Sequence, residues 1–129
     1  MAAKLIRPTD SELEILTVLW SRGPSTVREV YETLQRRRRS AQYSTVLKFM
    51  QIMAQKGLLD RDESDRAHVY APAQSREWMQ QQLAADLLQR GFDWSMKHFM
   101  IGALSARKAS KQELAELRKL LDEYEKGKR

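Results

Sequence analysis

The stretch "YSTVLKFMQIMAQKGLLDRDESDRAHVY", residues 43–70, constrains the fold more than any other part of the chain. Its first half carries Val46, Phe49, Met50 and Met53 at i, i+3, i+4 and i+7, the spacing of a single core-facing helical stripe. Ser44, Lys48, Gln51 and Gln55 recur at i, i+4, i+7 and i+11 and give the same helix a polar, lightly charged side. The helix starts near Ser40 or Gln42. Lys56-Gly57 stops it, with a cation at the negative helix end and a glycine able to turn left-handed. "LLDR" and "AHVYA" then read as two short strands around the charged tip "DESDR".

Two helices precede this unit. "DSELEILTVLWS" (10–21) places Leu13, Leu16, Val18, Leu19 and Trp20 on an apolar side, behind a capping box formed by Thr9 and Glu12. Gly23-Pro24 ends it. A second box, Thr26 to Glu29, opens a short helix that buries Val27, Val30, Tyr31 and Leu34. Three helices followed by a two-stranded wing is the order of a winged helix-turn-helix, in which the third helix enters the major groove of duplex DNA. The expected fold is therefore mostly α, with a winged-helix domain at 1–73 closed by Pro72 and a helical domain at 74–129.

Charge placement points the same way. The net charge is +6, and residues 22–56 hold eight cations against two anions, which accounts for all of it. A basic focus on an otherwise neutral chain suits a polyanionic partner. Arg36, Arg37, Arg38 and Arg39 supply bulk attraction, which leaves the third helix free to discriminate between bases. A reading helix needs small or amide side chains for base edges and a cation for guanine or phosphate. Ser44, Thr45, Lys48 and Gln51 are of those types. Tyr43, Leu47 and Ile52 either touch thymine methyls or pack internally. In the wing, Arg61, Arg66 and His68 stand among Asp60, Asp62, Glu63 and Asp65. Either the wing contributes one cation to DNA, Arg66, or local Arg–Asp pairs hold the hairpin.

Three further helices are expected: 75–90, ended by Gly91; about 94–105; and one opened by a capping box from Ser110 to Glu113. They carry Trp78, Leu83, Leu87, Trp94, Phe99 and Ile101, then Leu114, Leu117, Leu121 and Tyr124. Helices this short are not stable alone. A second copy of the chain is the natural cover, because a two-fold dimer doubles the DNA contact and matches palindromic sites. Packing back onto the first domain is the other solution.

Several classes drop out. No run approaches 18 apolar residues, so no membrane insertion is expected, and the first residues lack a signal-peptide block, so a cytoplasmic location is expected. There is no cysteine, which removes disulfides, thiolate metal sites and thiol catalysis. His68 and His98 have no spaced metal partner and no nucleophile–base arrangement, so neither catalytic residues, a metal nor a cofactor is assigned. A winged-helix module that binds protein without reading DNA is the alternative function.

"PTDSELEILTVLW", "GPSTVREVYETL", "YSTVLKFMQIMAQKGLLDRDESDRAHVYAP" and "ELAELRKLLDE", in that order and spacing, resemble the BlaI/MecI/CopY penicillinase-repressor family along nearly the full chain. The resemblance implies a bacterial winged-helix repressor that dimerises through its C-terminal helices on inverted-repeat operators. It also implies a neighbouring membrane sensor with a zinc-protease domain, whose signal leads to repressor cleavage. Family contacts to DNA fall on Thr45, on Lys48 where relatives often have threonine, and on Ile52 where arginine is frequent. The operator is therefore not carried over from relatives. The copper-responsive branch uses a cysteine motif that this chain lacks. Members cut by proteolysis are cleaved at an Asn-Phe bond in the fifth helix, whereas this chain has no asparagine and reads "FMIGALS" there.

Overall fold

The computed structural model describes residues 7–37 and 41–127. The chain divides into two compact units, Met1–Ala84 and Ala85–Arg129, and the division falls inside a helix.

The first unit contains α1 (Asp10–Arg22), β1 (Ser25–Thr26), α2 (Val27–Arg36), α3 (Tyr43–Lys56), β2 (Leu59–Asp62) and β3 (Val69–Pro72), and it takes in the first turns of α4 (Arg76–Phe92). Both expected capping boxes form. Thr9 Oγ1 accepts the Glu12 N–H at 3.2 Å while Glu12 Oε1 accepts the Thr9 N–H at 2.9 Å. Thr26 and Glu29 repeat the exchange at 3.2 and 2.9 Å. Such reciprocal caps satisfy orphan donors and fix where a helix begins. Between the two helices Gly23 takes φ 96°, and buried Ser25 donates its hydroxyl to the Gly23 carbonyl while accepting from Arg22 Nε.

The sheet is larger than the expected wing. β2 and β3 form the antiparallel hairpin, and β1 joins β3 on its other side, giving the order β1-β3-β2. β1 is only two residues long, too short to leave a pattern in the sequence. It ties the start of α2 to the wing, with Ser25 opposite Tyr70 and Thr26 opposite Val69.

The core joins Ile15, Leu16, Val18 and Leu19 of α1, Val30 and Leu34 of α2, and Val46, Met50 and Met53 of α3, closed by Tyr70 of β3 and Met79 of α4. Ile15 is absent from the expected stripe, yet only 2% exposed. Trp78 and Leu83 pack against this core. That is why the first unit extends past Pro72 and past the expected 73/74 boundary: the first turns of α4 finish burying it.

The second unit contains the remainder of α4, then α5 (Met96–Ala106) and α6 (Lys111–Glu125). Gly91 does not end α4. The helix continues to Phe92, and the chain turns at Asp93 and Trp94, with φ 48° and 63°. The Trp94 N–H donates to the Leu88 carbonyl at 2.8 Å, and the Phe92 ring meets Phe99 edge-on at 5.1 Å. Gly102 leaves room for that ring, since a Cβ there would lie 3.3 Å from it. Ser110 caps α6 by accepting the Glu113 N–H at 3.0 Å, but the box is half made: the Glu113 carboxylate takes Arg107 instead. No residue of α5 or α6 is buried. No helix among the described residues is long and apolar enough to cross a membrane.

Candidate nucleic-acid interface

α3 starts at Tyr43 with Gln42 as its cap residue, which makes no side-chain cap bond. Its start is held by neighbours instead. Tyr43 meets Tyr31 of α2 edge-on at 5.6 Å, and the Arg28 guanidinium carbon lies 4.7 Å from the centre of the Tyr43 ring. A cation over a ring at a solvent-accessible site is worth about 0.5–1 kcal/mol, and the half-buried Tyr43 ring keeps one face open to Arg28. The far end closes as a Schellman motif: Gly57, at φ 85°, donates to the Ala54 carbonyl and Leu58 to that of Met53. Lys56, in the last turn, reaches across to Glu12, with Nζ 2.9 and 3.1 Å from its two oxygens. Burial pushes the Glu12 carboxyl up. The Thr9 N–H, the Lys56 ammonium and the Thr9 hydroxyl outweigh burial and hold it below the ordinary carboxylate range.

Held at both ends and buried along Val46, Met50 and Met53, α3 turns its other side outward. Ser44, Thr45, Lys48, Gln51 and Gln55 are exposed, and Ile52 is half-buried. Ser44, Thr45, Lys48 and Ile52 border one shallow depression with Phe49, whereas Gln51, also expected to read DNA, borders two other hollows. Tyr43 and Leu47 are half-buried, packed against the core on one side and bordering a different, open cleft on the other. Among the described residues, no hydrogen bond or ion pair engages Lys48. Its ammonium is free for an incoming acceptor.

Arg36 and Arg37 are exposed at the end of α2, where Arg36 donates to Thr33 Oγ1 at 3.1 Å. Arg38 and Arg39 lie outside the described residues.

The wing carries both paired and unpaired charges. Arg61 is tied to Glu63 at 2.7 Å, and Tyr70 and Glu63 raise its pKa further. Asp62 folds back to accept the Ser64 N–H and hydroxyl, which holds its carboxyl below the ordinary range. Arg66 and His68 border an open cleft with Arg28, Tyr43 and Gln51, and no carboxylate lines it. The ion pair that forms in the wing is Arg61–Glu63 rather than an Arg–Asp pair, and among the described residues Arg66 is tied to no acid. Sequence reasoning missed Arg28: it stands in the first turn of α2, and only the fold brings it to α3 and the wing.

The residues expected between copies separate into two groups. Trp78 and Leu83 are half-buried and pack from α4 against the first unit's core. In the second unit Leu87, Trp94, Ile101, Leu121 and Tyr124 are 47–71% exposed, while Phe99, Leu114 and Leu117 are half-buried. Met100, Leu104, Leu117, Leu120 and Leu121 line an almost wholly apolar groove between α5 and α6. All the large hydrophobic side chains that are exposed among the described residues fall between Leu87 and Tyr124.

The model of the penicillinase repressor family matches residues 8–123. Over 126 residues the chain is 37% identical to transcriptional regulator BlaI of Mycobacterium tuberculosis strain CDC 1551 / Oshkosh, spanning 97% of this chain and 90% of that protein. The strain H37Rv protein of the same name gives the same figures. Among solved structures, the monomeric form of Bacillus licheniformis BlaI, in solution with the blaP half-operator, superposes with a TM-score of 0.50 at 24% identity. That match covers 57% of this chain and 89% of the other, and it is a likeness of fold.

Proposed function

This chain belongs to the penicillinase repressor family, and from that premise we propose that it represses transcription by binding double-stranded DNA as a homodimer on an inverted-repeat operator. The family is one of transcriptional repressors, not enzymes. One observation carries the reading: α3 exposes Ser44, Thr45, Lys48 and Gln51 while its opposite face, Val46, Met50 and Met53, is no more than 1% exposed. A rigidly anchored helix with short polar side chains and one free cation suits the major groove. Arg36 and Arg37, with Arg38 and Arg39 beyond the described residues, add sequence-independent attraction. A cytoplasmic location accompanies this function.

Self-association is supported by the apolar groove between α5 and α6 and by the exposed side chains around it, which a second copy would cover. Relief by a membrane sensor-protease pathway is the corresponding proposal for regulation. With no asparagine in the chain, a cut in α5 falls at a dipeptide other than Asn-Phe.

Selection of bound fragments from the source genome, followed by mobility shifts at several salt concentrations, tests the function. Recovery of an inverted repeat with salt-sensitive affinity is expected. A chain that stays monomeric and binds no duplex at low ionic strength contradicts it.

A further inference from the structure

We propose that the open cleft between the start of α2, the start of α3 and the wing seats the phosphates of one DNA strand, with Arg28 as its principal cation and Tyr43 as the residue that positions Arg28. This rests on the reading of the chain as a duplex-DNA binder and adds to it a site distinct from the base-facing depression of α3.

Four observations converge. The cleft, about 370 Å³, is bordered by Arg28 from α2, Tyr43 and Gln51 from α3, and Arg66 and His68 from the turn between β2 and β3. No carboxylate borders it, although the wing carries Asp60, Asp62, Glu63 and Asp65. Among the described residues, neither Arg28 nor Arg66 is tied to an acid. The surface thus holds two uncompensated guanidiniums facing one concavity, a setting that favours an oxyanion. Finally, the Arg28 guanidinium rests on the Tyr43 ring at 4.7 Å, and that ring is itself braced edge-on by Tyr31. Stacking limits the rotamer freedom that a long exposed side chain otherwise loses on binding.

The placement also explains how an acid-rich wing works beside DNA. Arg61 and Glu63 border a separate hollow on the far side of Gln51, with Ala54 and Gln55. There the Arg61–Glu63 pair neutralises its own charge, and no carboxylate of the wing borders the cleft that holds Arg28 and Arg66.

The test compares wild type with Arg28→Ala, Tyr43→Phe, Tyr43→Leu and the Arg28→Ala/Tyr43→Leu double variant, each titrated with an unselected fluorescent duplex and with a selected genomic fragment. Arg28→Ala is expected to weaken both by about tenfold at low salt. It should also lower the slope of log affinity against log salt by about 1, the signature of one lost phosphate contact. Tyr43→Phe keeps the ring and should keep the dependence on Arg28, so that adding Arg28→Ala to it costs as much as in wild type. Tyr43→Leu should weaken binding only when Arg28 is present, a coupling that a merely structural role would not give. If Tyr43→Leu does not fold, Arg28→Lys replaces it. Lysine keeps the charge without the flat face, so the slope should hold while affinity falls; wild-type affinity in Arg28→Lys would overturn the role of Tyr43. If wild type binds DNA and Arg28→Ala leaves affinity and slope unchanged, the phosphate seat is wrong while base reading by α3 stands. If wild type binds no duplex at any salt, the underlying function fails first, and the seat with it.

Discussion

The Lys56 ammonium, in the last turn of α3, sits 2.9 and 3.1 Å from the two carboxylate oxygens of Glu12, in the first turn of α1. Glu12 is only 2% exposed, and it also accepts the Thr9 N–H that starts α1. One carboxylate therefore caps the first helix and pins the end of α3. Glu29 repeats the device at the start of α2, where it completes its own capping box and takes Arg22 at 2.9 Å.

Glu12→Gln should destabilise the fold by about 1–3 kcal/mol at neutral pH, because the glutamine leaves Lys56 without its anion. The folded carboxyl titrates below its unfolded value, so its contribution is complete above the unfolded pKa and is lost as pH falls through the lower, folded one. Urea melts of both proteins should therefore differ at pH 7 and converge in acid. A gap that stays constant with pH would contradict the assignment.

Lys48→Ala should change which sequences bind, with about 1–3 kcal/mol of discrimination at stake if the ammonium meets a base edge. An Arg36→Ala/Arg37→Ala pair should instead weaken all sequences alike and flatten the salt dependence. Parallel selection from a random-sequence library separates the two patterns.

Gly57→Ala isolates a backbone effect. A Cβ at Gly57 meets nothing within 4 Å, but the residue sits at φ 85°. The expected loss is about 1–2 kcal/mol from the left-handed conformation alone, read as a lower thermal midpoint with no change in DNA preference.

Leu121→Glu places a charge in the apolar groove of the second unit, where Leu121 is 62% exposed. It should shift the chain towards monomer in sedimentation velocity and leave the melting of the first unit nearly unchanged. Affinity for an inverted repeat should fall further than affinity for a single half-site, since only the former uses both copies.

The amino-acid sequence alone determined the features written in nearest neighbours. The threonine–glutamate boxes set the starts of α1 and α2, Lys56-Gly57 set the end of α3, and the 3.6-residue period of Val46, Met50 and Met53 set which side of α3 is buried. These depend on residues three or four apart, which a helix brings together whatever surrounds it. Tertiary structure decided what depends on distant partners. Glu12 and Lys56 are 44 residues apart, and a capping-box glutamate gives no sign that a second cation will reach it. β1 exists only because β3 lies alongside it. Gly91 looks like a helix end, yet α4 continues because Phe92 packs onto Phe99 and Gly102. Trp78 and Leu83 are apolar enough for an interface, and only the fold shows that they also pack against the core of the first unit. Arg28 is one exposed cation among many in the sequence, and only the approach of Tyr43 and the wing gives it a place. A side chain's type and period fix the face it occupies; what meets that face is fixed by the packing of the rest of the chain.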